Sequence, residues 1–428
     1  MLLLFFVLLE YKPQTLAVPP FEHTFGFYRA SKYYLQLFLG PGFNYNDPQG
    51  ITAVKLKELD DPKTKKDDDE LTAFAVNSGN GQIIYNVGLE AVKIYGNRET
   101  FSSPKGITAN SDGLVAVADF GNRRVVKLQC QKGELKWAGE IPLAGRPYDV
   151  CFDSQNNLYV TDYDNSRVCV YGPDNNLITS FGITGRALGE IYQPMGIEVI
   201  DAQAPHNRFQ DEFIVITDDD GKRVSKFTLN GRFLGSVYDF ELGLAEAHFL
   251  YVAMDYYASI YVTDDVNNQI HKFDHDLRYI ISEGRTGTDQ GEFASPRGIT
   301  INRKYGQVFI AEKEGGQYLW IAGDVIFIGA FPPVITKDLP GTTIAIYLTQ
   351  EVKVNMGVYN AMNEKVKDLL KDIKCAPGEF LVVWDGLDSK NVQVPDGVYQ
   401  IKIDIKPLHG YGARIKKSVQ GSVTCRTS

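Results

Sequence analysis

The sequence predicts an all-β chain: six repeated four-stranded sheets closed into a β-propeller, followed by a small β-sandwich. Three observations carry this. A Pro-x-Gly-Ile start recurs as Pro48-Gln-Gly-Ile, Pro104-Lys-Gly-Ile, Pro194-Met-Gly-Ile and Pro296-Arg-Gly-Ile, with Pro147-Tyr-Asp-Val and Phe249-Leu-Tyr-Val as variants. Downstream of each start an apolar run ends in Asn77, Asp119, Asp162, Asp218, Asp264 or Glu312, and five residues later stands Gln82, Arg124, Arg167, Arg223, Gln269 or Gln317. The steps between these turn residues are 42, 43, 56, 46 and 48, a spacing suited to a propeller blade and too long for a leucine-rich or ankyrin repeat.

Composition agrees. The 428 residues are 44% hydrophobic with 24 Tyr and 24 Phe, ample apolar surface for burial and far from a disordered or collagen-like chain. Lys and Arg total 44 against 53 Asp and Glu, so the chain as a whole repels a phosphate backbone and nucleic acid is not an expected partner. The 40 Gly and 19 Pro punctuate short strands, and no apolar 3.6-residue period is sustained.

The elements follow in order. The longest apolar run, Met1 to Leu9, is far short of the roughly 20 residues of a membrane-spanning helix. Residues 1–20 read instead as a signal segment, with Thr15 and Ala17 before a cut at Val18, although Glu10 and Lys12 interrupt it. Tyr33 to Leu39 reads as the last strand of the final blade, a clasp that ties the ring closed over residues 30–330. In each unit strand a begins at the Gly-Ile, strand b is the run before the acid or amide, strand c follows the Arg or Gln, and strand d is a run such as Leu177 to Phe181. Two insertions, Leu56 to Glu70 and Ala202 to Asp211, lengthen the a–b connections of the first and fourth units. The charges of the first nearly cancel, which suits a solvated loop. Residues 335–428 alternate apolar and polar positions across Thr342 to Leu348, Val352 to Tyr359, Phe380 to Trp384 and Val398 to Ile405, with Asp385-Gly386 and Asp396-Gly397 at turns, the pattern of a sandwich in which Trp384 anchors the core.

The segments Val115-Ala-Val-Ala-Asp-Phe-Gly-Asn-Arg-Arg124-Val and Leu158-Tyr-Val-Thr-Asp-Tyr-Asp-Asn-Ser-Arg167-Val resemble NHL repeats, and the resemblance covers roughly residues 30 to 325. It implies a six-bladed propeller. The segments Val383-Trp-Asp-Gly386 and Val394-Pro-Asp-Gly-Val-Tyr399 resemble the Ig-like domain of flagellar hook-capping (FlgD-type) proteins, which is appended to exported bacterial proteins. An extracytoplasmic location, secreted, periplasmic or at the cell surface, is what that resemblance implies. The peptidylglycine amidating lyase, a propeller that this chain resembles, uses metal-binding histidines near its repeat starts; here those positions hold Pro-Lys, Pro-Tyr, Pro-Met and Pro-Arg.

Little in the sequence points to covalent chemistry. Asp119 with Arg124, Asp162 with Arg167, Asp218 with Arg223 and Asp264 with Gln269 read as a structural turn network, each acid meeting its partner within one b–c turn. No cofactor is expected, and calcium is the one metal such acids could take. No zinc set, nucleophile elbow or phosphate loop is present. Cys130, Cys151 and Cys169 read as buried small hydrophobes, and Cys375 and Cys425 as a pair that could form if the protein is exported. The residues between Pro and Gly, namely Gln49, Lys105, Tyr148, Met195, Leu250 and Arg297, occupy equivalent places at the channel mouth and are the candidates for contact with a partner. The expected function is a non-enzymatic binding or scaffold protein holding a protein or glycan on its channel face, with the sandwich for attachment or sorting. A secreted metal-dependent hydrolase or lyase working at the channel mouth is the alternative, and RNA binding would need a basic channel face.

Overall fold

The computed structural model describes residues 17–18, 29–60, 63, 71–89, 91–289, 291–410 and 416–427. The apolar run Met1 to Leu9 and most of the insertion after Leu56 lie outside them. The chain divides into two compact units, Pro19–Leu319 and a second formed by Met1–Val18 with Trp320–Ser428.

Six four-stranded antiparallel sheets follow one another, each in the order a-b-c-d. Their first strands are Pro48–Lys55, Ile107–Ala109, Pro147–Phe152, Ile197–Ile200, Phe249–Met254 and Pro296–Asn302. Each first strand touches the first strand of the next sheet, and the sixth touches the first, so the sheets form a closed ring around an axis lined by strand a. The ring is a six-bladed propeller. Within each blade the b strand is almost wholly buried, as in Leu158–Asp162 and Phe213–Asp218, which explains why these runs read as continuous apolar segments. Between blades, Val117, Val126 and Leu128 pack with Phe74 and Ile83, and Ile197 and Ile216 with Tyr159 and Val170.

The clasp is N-terminal, but it is not the segment expected. Lys32–Leu39 is an α-helix, capped by Ser31, whose hydroxyl accepts from the Tyr34 N–H at 3.2 Å. It buries Leu35 with Phe43 and Ile84 against the outer part of blade 1. Closure comes from residues just before it. The Ala30 N–H donates to the Gly316 carbonyl at 2.8 Å, Arg29 pairs in register with Gln317, and the Arg29 guanidinium meets Glu312 at 2.7 Å and the Glu292 carbonyl at 2.9 Å. The outermost pairing on the sixth sheet is Ala17–Val18 against Ile321 and Trp320. Because Glu312 is almost fully buried, Arg29→Ala should cost about 1.5–3 kcal/mol, the range for a hydrogen bond to a charged group. A melting temperature equal to that of the wild type would show that the ring does not depend on this clasp.

The second unit is a two-sheet sandwich. One sheet holds Val325–Phe331, Thr342–Leu348 and Gly378–Trp384; the other holds Val334–Thr336, Lys417–Arg426, Gly397–Pro407, Val352–Tyr359 and Lys365–Cys375, in those orders. Ile344, Ile346, Val354, Met356, Ile401 and Ile403 fill the space between. Trp384 is fully buried, stacks edge-on with Tyr399 and donates from its indole nitrogen to the Leu387 carbonyl at 3.0 Å. The expected boundary at residue 330 is corrected: Val325–Phe331 pairs with Thr342–Leu348, and its Val325 and Ala330 fill the sandwich core. The pairing of Cys375 with Cys425, which the sequence leaves open, is excluded by the sheet. Cys375 is joined through Val352 to Pro407, whereas Cys425 lies opposite Gly397 on the same strand. Ten residues of extended chain separate the two levels, roughly 33 Å, far beyond bridging distance, and both thiols are free and buried. No helix among the described residues is long and apolar enough to cross a membrane.

Candidate functional site at the channel mouth

The turn network lies where the chain crosses from strand b to strand c. Asp119, Asp162 and Asp218 each close strand b and stand directly opposite Arg124, Arg167 and Arg223 at the start of strand c. The guanidinium nitrogens reach the carboxylates at 2.8, 3.1 and 2.8 Å. In blade 1 the same place holds an amide pair, Asn77 donating to Gln82 at 3.3 Å, and in blade 6 Gln317 donates to Glu312 at 2.9 Å. Blade 5 departs from the expectation. Gln269 turns to the Gly284 carbonyl, and Asp264 instead takes the His271 Nε2 at 3.2 Å and the Asn267 amide at 2.6 Å. An acid with a shorter neutral partner finds its second donor elsewhere in the sheet. Among the described residues no three His, Cys, Asp or Glu side chains converge in metal-binding geometry.

The six residues between Pro and Gly ring the axis. Each strand a carries a bulge there in blades 1, 3, 5 and 6, as between Pro48 and Ile51, and such a bulge re-aims side chains. The Lys105 and Tyr148 carbonyls accept from Gly50 and Gly106 of the preceding blade at 2.9 and 2.8 Å. The Met195 and Leu250 carbonyls accept from the hydroxyls of Thr161 and Thr217 at 2.7 and 2.9 Å. The expectation that all six present a contact surface is corrected for four of them: Gln49, Tyr148, Met195 and Leu250 are buried, the bulge re-aiming those of blades 1, 3 and 5, whereas Met195 of blade 4 is buried without one. Lys105 and Arg297 keep a partly open face, 19% exposed each.

What joins Gln49, Lys105 and Arg297 is Asp47, which the repeat pattern did not single out. It accepts from the Gln49 amide at 2.7 Å and pairs with Lys105 at 3.4 Å and Arg297 at 3.2 Å. Blades 1, 2 and 6 are thereby held at the mouth by one carboxylate. Arg297 also lies 3.6 Å from Asp265.

The axis itself is filled by the two departures from glycine. Gly50, Gly106, Gly196 and Gly298 each lie so close to the neighbouring blade that a Cβ would strike it, at 1.9 Å from the Asp149 carboxylate in the case of Gly106. At the equivalent places of blades 3 and 5 stand Asp149 and Tyr251. The Asp149 carboxyl accepts from the Val150 and Ile197 N–H groups at 2.9 and 3.1 Å. Burial pushes its pKa well above the usual carboxylate range. Tyr251 reaches from blade 5 to blade 1, its hydroxyl donating to Gln49 at 3.2 Å, and lies 5.9 Å from the Tyr148 ring of blade 3. Further along the axis Cys151 lies 3.6 Å from Glu198, and Arg303 of blade 6 crosses to Glu198 at 2.6 Å. Burial raises the Cys151 thiol well above its ordinary value, the wrong direction for a thiolate nucleophile.

With the axis filled, the open volume lies beside it. A hollow of about 770 Å³ is lined by Asp47, Lys105, Phe120, Arg123, Arg146 and Asp164, among others. The Arg146 guanidinium sits 4.6 Å over the Phe120 ring and 5.5 Å over Tyr163, and a fork to Asp164 at 2.6 and 2.8 Å fixes it there. Phe120 in turn stands edge-on to Tyr148 and Tyr163. Arg123, exposed in a left-handed turn residue with φ 53°, makes no ion pair among the described residues.

This fold and mouth define a six-bladed β-propeller with an appended sandwich. Two segments, residues 101–128 and 145–171, match the NHL repeat, and they supply most of the hollow's lining. Among solved structures, a virginiamycin B lyase from Staphylococcus aureus is similar at 15% identity over 58% of this chain and 76% of that chain, with a TM-score of 0.43. A gluconolactonase from Xanthomonas campestris shares 10% identity over 72% and 99%, TM-score 0.47. The β-propeller domain of a Myceliophteria thermophila Cps50 (Swd1) protein shares 7% over 65% and 98%, TM-score 0.43.

Proposed function

We propose that this protein is a binding protein whose propeller holds an acidic segment of a partner protein in the hollow beside the axis. The observation that carries the reading is the stacked and forked Arg146 next to an exposed Arg123. The hollow offers Lys105, Arg123 and Arg146 against Asp47 and Asp164, an excess of positive charge in a chain of formal charge -9. Its volume falls in the range of ligand pockets, about 300–1,000 Å³, and aromatic rings flanked by arginines are the composition of interface anchors. The reading keeps the protein outside the cytoplasm, supported by the apolar run Met1 to Leu9; sequencing the N-terminus of the mature protein tests that part separately.

The binding claim is tested by panning a random peptide library against the full chain. Acidic peptides should be enriched, and Arg123→Ala should weaken them about tenfold, the effect of losing one exposed-to-rim charge contact of roughly 1.4 kcal/mol. Arg146→Ala should do more, since it also removes the cover of Phe120. Enrichment of neutral sequences, or equal affinity in Arg123→Ala, would refute the assignment.

A further inference from the structure

The outer face of the larger sandwich sheet has a charge arrangement that folding alone does not favour. Lys353 lies directly opposite Lys374 on one neighbouring strand and Lys406 on the other. Directly opposed residues on adjacent strands have Cβ atoms about 5 Å apart, and like charges so placed destabilise a sheet. The three side chains belong to the solvent face: Val352, Val354, Ile405 and Cys375 beside them are buried. None of the three forms an ion pair among the described residues. The imbalance is regional, since residues 324–428 contain 13 Lys and Arg and 11 Asp and Glu, within a chain of formal charge -9.

Next to this row the face is hollowed. Gly357 has no side chain to fill its place, and the Tyr359 ring leans over it, within 3.0 Å of where a Cβ would stand. The resulting depression of about 580 Å³ is bordered by Lys371, Lys406 and Lys416 but also by Asp368, Asp372 and Asp404. Lys402 lies 4.6 Å over the Tyr359 ring. Lysines supply point charges for acid groups, and the aspartates and Asn355 are acceptors for hydroxyl groups.

We infer that this face binds an acidic polysaccharide, its carboxylate-bearing sugars spaced so that acid groups meet the Lys374–Lys353–Lys406 row while hydroxyls meet the aspartates. Asp368 is paired with Lys365 at 2.8 Å, but Asp372 and Asp404 form no ion pair among the described residues and select against a densely charged chain: a nucleic acid or an anionic bilayer sets negative charge against both. A polyuronate, with one acid per sugar and several hydroxyls, satisfies both sets. The inference is independent of the propeller hollow.

The experiment uses the full chain and polygalacturonate as probe, with dextran and a single-stranded DNA as comparisons, by affinity electrophoresis at low and at 0.5 M salt. Binding to polygalacturonate is expected, weakened by salt because the contacts are exposed, with dextran ignored and DNA bound at least tenfold more weakly. The double variant Lys353→Gln, Lys406→Gln should lose tenfold or more in polygalacturonate affinity while melting at or above the wild-type temperature, since a repulsion has been removed. Lys390→Gln, in a loop away from the row, should bind as the wild type does. No retardation by polygalacturonate, equal affinity in the double variant, or DNA bound as tightly as the polyuronate would each overturn the inference.

Discussion

Arg223→Ala should destabilise blade 4 by about 3–5 kcal/mol, the cost of leaving one member of a buried ion pair without its partner. Arg223 and Asp218 are both fully buried. The guanidinium donates from Nε to Asp218 at 2.8 Å and from Nη2 to Asp218 at 2.5 Å and the Glu190 carbonyl at 2.8 Å; its Nη1 lies 3.0 Å from the Tyr238 hydroxyl. Removing it strands a carboxylate that keeps only the Ser225 hydroxyl at 3.1 Å and the Tyr192 N–H at 3.3 Å. It also takes a donor from the half-buried Glu190 carbonyl. The pair itself is weak grounds for stability, because desolvating both charges consumes most of their attraction. The same turn in blade 1 is built from Asn77 and Gln82 without any charge. The double variant Asp218→Asn, Arg223→Gln should therefore recover at least half of what Arg223→Ala loses. Amide hydrogen exchange of strands Phe213–Asp218 and Arg223–Phe227 reads this directly: about two to three and a half powers of ten faster in the single variant, at about 1.4 kcal/mol per tenfold. An acceleration below tenfold would mean that water replaces the guanidinium, and the pair would then be ornamental.

The Asp218–Arg223 offset is visible in the sequence, and the reason is local. The b–c turn needs an acid or amide and a long donor at a fixed offset, so its chemistry repeats even where the surrounding residues do not. Closure was harder to read. Lys32–Leu39 is aromatic and apolar and lies where the last strand was expected, yet it contains no β-branched residue, begins after Ser31 and ends at Gly40 with φ 89°, which are helix signals. The pairing of Arg29 and Ala30 with Gly316 and Gln317 left no mark in composition, because an edge strand of two residues has no pattern. At the mouth, Asp149 and Tyr251 were visible as departures from Pro-x-Gly-Ile. Their meaning was not, since only the geometry shows that four glycines leave room at the axis for the side chains of the other two. Asp47 joins residues 58 and 250 positions away, a relation that no local pattern encodes.

Lys272→Met should stabilise the protein at pH 7 by roughly 3 kcal/mol and abolish a rise in stability between about pH 8 and pH 10.5. Lys272 is fully buried on strand c of blade 5, and its Nζ has no hydrogen-bond partner among the described residues. Its counterparts three residues into strand c, Lys127 and Lys226, both reach the c–d turn of the next blade, donating to the Asn175 side chain and the His275 carbonyl. Among the described residues Lys272 has only Asp255, 4.0 Å away, and the Tyr261 ring at 5.1 Å. Asp255 is already occupied by the Tyr261 hydroxyl and by the N–H groups of Tyr257 and Ser259. Burial outweighs the pull of Asp255 and lowers the Lys272 pKa to about 8 from its ordinary 10.5. The sign follows from linkage. Between those two pH values the unfolded chain holds the proton and the native protein does not, so stability climbs with pH; below pH 8 the full penalty of a buried ammonium is present. At 1.36 kcal/mol per pKa unit the penalty amounts to about 3 kcal/mol, which methionine of similar length and no charge relieves. Buried tyrosines such as Tyr251 and Tyr261, whose pKa values burial raises, act in the opposite direction above pH 10 and are common to both proteins. The difference in urea-unfolding free energy between wild type and variant therefore isolates the lysine: about 3 kcal/mol in favour of the variant at pH 7, shrinking toward zero by pH 10.5. A difference that stays constant with pH would show that Lys272 keeps its proton in neither state or in both, and the native pKa near 8 would have to be abandoned.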